Sequence, residues 1–166
     1  AANKEDAASL YLRGRALKHQ LTLKQPCADY DELVLEYLSD MVQAVQIEPQ
    51  NEEYVANLAG EKLEYTMDLE RHCLSLGEPL NGDSIVAQSV ALSWGHTMEI
   101  ARSALSLKSL SPQNRLLALS ALCHALLATE KYEECDVQVD SWINLCTPSQ
   151  QAPLARALVL KASIQL

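Results

Sequence analysis

Residues 44–59 read AVQIEPQNEEYVANLA, and this stretch contains the end of one helix and the start of another. Apolar residues spaced three or four apart lead up to Ile47, and Pro49 cannot continue a helix because it lacks a backbone N–H. Asn51 is a favourable N-cap residue, and two acidic residues follow it in the first turn, where the helix dipole favours negative charge. The stretch therefore predicts two amphipathic helices joined by a short loop.

The same pattern of amphipathic segments and short breaks extends outward over the whole chain. The chain has only five glycines and six prolines in 166 residues and no phenylalanine, so Leu, Ala and Val must form the interior, a composition that favours helices. Because the breaks are short, neighbouring helices should be antiparallel. The sequence predicts an all-α fold with helices at about 5–21, 30–47, 51–76, 83–107, 112–128, 132–146 and 151–166.

Charge is distributed unevenly along the chain, whose net charge is −9. Residues 1–27 carry five basic and two acidic residues, whereas residues 28–70 carry twelve acidic residues and one lysine. A middle segment this acidic repels phosphate, which argues against direct binding of nucleic acid or an anionic membrane. We expect it to suit a basic peptide; the alternative is a helix face that is simply solvated.

Two helices open with an aromatic residue followed by two acids, at 30–32 and at 132–134, and Cys123 lies nine residues before Tyr132. Ala157 follows Cys123 by 34 residues, the period of paired-helix repeats. With the helix–proline–helix junction at 44–59, these features resemble a divergent tetratricopeptide repeat. The small residues that match the family's first-helix position are Gly14, Ala59, Cys123 and Ala157, at spacings of 45, 64 and 34.

The resemblance implies hairpins at about 5–47, 52–107 and 113–146, with the start of a fourth at 151–166, stacked as a right-handed superhelix. The alternative is an irregular α-helical bundle. Trp142 falls at the family's second small position, so we expect the helices there to be spread apart or the ring to pack on the next pair. Since the chain starts without Met and stops within an apolar-periodic segment, we interpret it as a piece of a longer protein.

The resemblance also implies a concave groove, lined by the first helix of each pair, that binds a segment of a partner protein. We expect this segment to be basic or amphipathic. The family's carboxylate clamp lacks its basic residues here, since Lys62 is the only cation in residues 28–70. The expected partner-binding residues are Glu53, Asn57, Leu63 and Glu64 in the second pair and Leu117, Ser120, His124 and Leu127 in the third, with Ala56 and Gly60 also at groove positions.

Sequence motifs for catalysis or metal binding are absent from the chain. Neither Cys-x-x-Cys, His-Glu-x-x-His, Gly-x-Ser-x-Gly nor a phosphate-binding loop occurs, so no cofactor is expected. The five cysteines are dispersed, which suits free thiols in an intracellular, reducing compartment. The sequence contains no run of 18 apolar residues, so it predicts no membrane-spanning helix.

We therefore expect a non-catalytic interaction scaffold. The alternatives are a structural subunit buried within a multiprotein complex and, more remotely, an all-helical enzyme that uses Glu64 or Asp68 as an acid.

Overall fold

The computed structural model describes residues 6–23, 30–147 and 150–164, and in these ranges every regular element is a helix. The all-α prediction is confirmed, while the breaks predicted at Pro26 and Pro148 lie outside the described residues. The described ranges contain seven helices: α1 (Ala7–Leu23), α2 (Tyr30–Ile47), α3 (Glu52–Ser75), α4 (Ile85–Leu105), α5 (Pro112–Ala128), α6 (Tyr132–Leu145) and α7 (Gln151–Ile164).

Local capping signals determine several helix ends. The predicted N-cap Asn51 accepts a hydrogen bond from the Tyr54 backbone N–H, and the Ser111 hydroxyl accepts one from the Asn114 N–H at the start of α5. α4 begins two residues later than the predicted position 83, because the Ser84 hydroxyl caps it. α3 ends at Ser75, and two residues later Gly77 has φ +74°, a backbone conformation that costs little only for glycine.

Consecutive helices pack against each other along the chain. α1 packs on α2, α3 on α4, α5 on α6 and α6 on α7, and α4 also packs on α5. In addition, α3 packs directly against α5, and α5 against α7. α1 also contacts α3 through side chains: the rings of Tyr11 and Tyr54 stack, with their centroids 4.4 Å apart.

The interior is built from leucine, alanine and other small residues in adjoining clusters. The largest cluster spans α3 to α7, and a second cluster joins α1, α2 and the start of α3. Several apolar residues remain exposed, because they lie on helix faces that no described element covers; among them are Met67 at 38%, Ile85 at 83% and Leu92 at 65%. Trp142 is buried in the cluster that also contains Ala157 and Leu160 of α7.

Two helical glycines differ in their surroundings. A Cβ at Gly14 in α1 would lie 3.1 Å from the Tyr37 carbonyl oxygen and 3.2 Å from Met41 Cγ, so α2 closely approaches α1 there. A Cβ at Gly95 in α4 would meet nothing within 4 Å. A glycine inside a helix indicates either tight packing or a kink, and the open space beside Gly95 excludes the tight packing.

Candidate protein-binding surface

One face of α3 carries a continuous row of residues that the core does not use. Its members recur every three or four positions, so they share one side of the helix. Each of them is exposed or half-buried. We call this row the α3 face; it consists of Glu53, Asn57, Gly60, Glu64, Met67, Arg71 and Leu74.

The N-terminal half of the α3 face is acidic, and α1 partly neutralises it. Lys18 Nζ donates hydrogen bonds to Glu61 and, at 2.8 Å, to Glu64. Burial disfavours the charge on Lys18, but the bonds to the two carboxylates outweigh it, so the Lys18 pKa is raised. The Tyr11 hydroxyl donates to Glu53 at 3.1 Å. Glu53, Glu61 and Glu64 thus face Lys18 and, through the Tyr11 hydroxyl, Arg15, so three carboxylates meet two cations and this half keeps an excess of negative charge.

The C-terminal half of the α3 face is apolar apart from Arg71. Met67 is 38% exposed and Leu74 is 53% exposed, and they lie two helical turns apart. Arg71 between them pairs with Asp68 of the same helix, in an exposed ion pair of little energetic weight. The α3 face thus combines an acidic half with an apolar half.

α5 continues the surface beside the middle of the α3 face. A Cβ added at Gly60 would lie 3.7 Å from Leu117 Cδ2, which places Leu117 next to the glycine. The four predicted residues of α5 are all half-buried, and they fall on one side of that helix: Leu117, Ser120, His124 and Leu127.

His124 is held in place at the edge of the core. Its Nδ1 lies 2.8 Å from the Ser120 carbonyl oxygen, and its ring centroid lies 6.2 Å from that of Trp142. Burial lowers the His124 pKa, and the positive charge of Arg156 on α7 lowers it further, while the bond to Ser120 opposes both. Trp142 Nε1 has no hydrogen-bond partner within the described residues.

The predicted residues do not all lie on this surface. Leu63 is buried in the main core cluster, because it is one position from Glu64 and so points about 100° away from it. Ala56 is fully buried for the same reason. Asn57 lies on the α3 face, where its side-chain amide donates to the Glu53 carbonyl oxygen at 2.7 Å.

The sequence interpretation missed three members of the α3 face: Met67, Arg71 and Leu74. Continuing the spacing of three and four from Glu64 reaches all of them, so the signal was present. Within residues 6–23, 30–147 and 150–164, no three His, Cys, Asp or Glu side chains gather where they could hold a metal ion. No helix in these ranges is long and apolar enough to cross a membrane.

Comparison of the chain with protein-family models, with curated proteins and with solved structures gives no match. The α3 face and the neighbouring side of α5 are therefore interpreted from their own chemistry.

Proposed function

We propose that this chain is a non-catalytic scaffold built of tetratricopeptide-like helix hairpins, which binds a basic, amphipathic segment of a partner protein. The segment lies along the α3 face and extends over Leu117 and Ser120 of α5. Its cations meet the acidic half of the face, and its apolar residues pack on Met67 and Leu74.

Support for a stack of hairpins comes from the helix contacts and from four small residues. α3, α5 and α7 touch in succession, as the first helices of stacked pairs do. The matching positions of the first helices are buried and small, which allows close approach to neighbouring helices: Gly14, Ala59, Cys123 and Ala157.

The observation that carries the proposed ligand is the division of the α3 face into an acidic and an apolar half. An amphipathic partner helix presents anchors every three or four residues, which is the spacing of the α3 face itself. Complementary charge accelerates association and selects the partner's orientation. No apolar side chain in the described part of the chain covers Met67 and Leu74, which remain exposed.

The test uses a fluorescein-labelled 20-residue peptide of leucine and lysine patterned as an amphipathic helix, with a scrambled peptide of the same composition as reference. We expect Glu53→Gln combined with Glu64→Gln to weaken binding roughly tenfold, because two carboxylates of the face are lost. Met67→Ser combined with Leu74→Ser should have an effect of similar size. Fluorescence anisotropy at two salt concentrations measures both effects.

Matched controls separate the α3 face from the protein's general charge. Glu99→Gln with Glu133→Gln removes two exposed acids from α4 and α6, and Leu92→Ser removes an exposed leucine from α4. These variants should bind the peptide as the unmodified chain does. The proposal would be contradicted if the control variants lost as much peptide affinity as the α3-face variants. It would also be contradicted if the scrambled peptide bound as tightly as the amphipathic one.

A second candidate, a structural subunit enclosed in a larger assembly, is supported by exposed apolar residues away from the α3 face. Ile85 and Leu92 lie two turns apart on α4, and Val137 on α6 is 62% exposed. On this hypothesis the isolated chain self-associates, and Ile85→Ser with Leu92→Ser restores a monomer in sedimentation experiments. A monomeric unmodified chain would speak against it.

The proposal places the protein inside the cell. Cys73, Cys123 and Cys135 are buried as free thiols, and Cys146 is also free. Unpaired thiols of this kind suit a reducing compartment.

A further inference from the structure

A cleft of about 440 Å³ lies among α4, α5 and α6. Arg115 and Leu119 contribute to it from α5, and they lie roughly opposite Leu117 and His124 on that helix, since two residues turn about 200° and five about 140°. The cleft is thus separate from the surface proposed above. Its lining residues are Leu105, Arg115, Leu119, Gln138, Ser141, Asn144 and Leu145.

Arg115 is the only charged residue among the described residues that line the cleft. Its side chain is half-buried and makes no ion pair or hydrogen bond within the described residues. Three of the four acids on the neighbouring α6 already hold other cations. Glu134 pairs with Arg102, and both Asp136 and Asp140 pair with Lys161. The guanidinium of Arg115 therefore retains five donors and an uncompensated positive charge.

The rest of the cleft supplies amide groups and leucine side chains. The side-chain amides of Gln138 and Asn144 have no hydrogen-bond partner in the part of the chain that the structure describes. Of the apolar lining residues, Leu119 is buried, and Leu105 and Leu145 are half-buried. An apolar site with a few convergent polar groups is the usual composition of a binding pocket, and 440 Å³ is within the usual range of pocket volumes.

One end of the cleft has a defined boundary. Arg102 on α4 donates to both carboxylate oxygens of Glu134 on α6, each at 2.7 Å, and so links the two helices that flank α5. Leu105 follows Arg102 by one turn on α4, and Gln138 follows Glu134 by one turn on α6, so the cleft begins beyond this ion pair.

We propose that this cleft is a second protein-binding site, which takes a glutamate or aspartate side chain flanked by leucine-like residues on a partner. The carboxylate binds the Arg115 guanidinium, a pairing that is shorter and stronger than a neutral hydrogen bond. Gln138 and Asn144 bind the adjoining peptide groups, and the apolar neighbours pack on Leu119 and Leu145. The two surfaces then have opposite charge preferences, a basic ligand on the α3 face and an acidic one in this cleft.

The experiment uses the 166-residue chain and three fluorescein-labelled peptides with Leu-Glu-Leu, Leu-Gln-Leu or Leu-Lys-Leu centres in a Ser-Gly frame. We expect the glutamate peptide to bind at least tenfold more tightly than the glutamine peptide, and the lysine peptide to bind most weakly. Arg115→Gln should remove the preference for glutamate, and Arg115→Lys should retain part of it, since lysine keeps the charge but loses the bidentate geometry. Fluorescence anisotropy measures all nine pairs.

Two further variants make the result specific. Ser141→Trp changes an exposed residue on the cleft wall and should obstruct all three peptides while leaving the thermal transition unchanged. Arg71→Gln removes a cation from the α3 face and should leave the preference intact. The proposal is overturned if the unmodified chain does not distinguish glutamate from glutamine, or if the preference survives in Arg115→Gln. A loss of binding in Glu53→Gln with Glu64→Gln would concern the α3 face alone.

Discussion

Gly14 shows at the scale of a single residue how the helices are brought together. The Tyr37 carbonyl oxygen and the Met41 side chain occupy the space that a side chain at position 14 would need. Gly95 has the opposite environment, an open one in the middle of α4, where glycine only increases the conformational freedom of the unfolded chain.

These two glycines give opposite predictions for the same substitution. Gly14→Ala should lower the free energy of unfolding by about 1–3 kcal/mol, because α2 must shift to admit the methyl group. Gly95→Ala should raise it by roughly 0.5–1 kcal/mol, because alanine has the higher helix propensity and no steric cost at that position. Urea unfolding followed by circular dichroism measures both changes, and a destabilised Gly95→Ala would show that the site is closed.

His124 gives a prediction for the pH dependence of stability. Burial lowers its pKa in the folded chain, so below the usual histidine value of about 6.5 the unfolded chain binds more protons than the folded one. Stability should therefore be highest above this value and decline as the pH falls. Unfolding free energies measured between about pH 7.5 and 5.5 should decline less steeply for His124→Gln than for the unmodified chain. Parallel declines would exclude His124 as a source.

At the scale of the helix, the ends were predictable because their signals are local. Asn51 and the pair Ser111-Pro112 carry their capping chemistry in the sequence, and α3, α5 and α6 start at or next to the predicted residues. The buried face was less predictable. Leu92 is apolar, but the residues three and four positions away are Gln88, Ser89, Gly95 and His96, so it lies away from the buried face of α4.

The packing of α1 on α2 includes an ion pair that sequence spacing could not reveal. Asp40 is 2% exposed, and its two oxygens accept hydrogen bonds from Arg13 Nε at 2.6 Å and Nη2 at 2.5 Å. Arg13→Met should lower the free energy of unfolding by about 2–4 kcal/mol, because it leaves a buried carboxylate without its cation. Asp40→Asn should cost less, since the amide is uncharged.

A double variant of Arg13 and Asp40 separates the energy of their interaction from the effect of each side chain alone. Arg13→Met with Asp40→Asn should be no less stable than Arg13→Met alone, because removing the charge also removes the desolvation penalty. Chemical denaturation of the four chains measures the coupling. Strictly additive losses would show that the two side chains act independently.

At the scale of the whole molecule, the two oppositely charged segments of the sequence meet in space. Lys18 reaches Glu61 and Glu64, which lie more than forty positions further along the chain. The uneven charge was visible in the sequence, and from it we expected the acidic segment to bind a basic partner. That part of the acidity is neutralised internally could not be seen, because it depends on α1 lying beside α3.

This contact predicts that α1 moderates binding to the α3 face. Lys18→Gln should increase the affinity of the leucine–lysine peptide about two- to fivefold, since Glu64 then has no internal partner. The free energy of unfolding should fall by about 1–3 kcal/mol, because Lys18 also pairs with Glu61, whose side chain is only 12% exposed. Anisotropy titration measures the affinity, and Lys108→Gln, which removes an exposed lysine elsewhere, is the matched control. Weaker peptide binding in Lys18→Gln would contradict this prediction.

The central claim is that the hairpins form a row, with α1, α3, α5 and α7 side by side. Spin labels introduced by Leu12→Cys on α1 and Leu158→Cys on α7, with Cys27→Ser and Cys146→Ser to remove competing thiols, give the distance between the two ends by double electron–electron resonance. Neighbouring helices pack about 8–10 Å apart, so three steps predict a mean distance of about 25 Å or more. A mean distance below about 20 Å would indicate a closed cluster of helices and contradict the account.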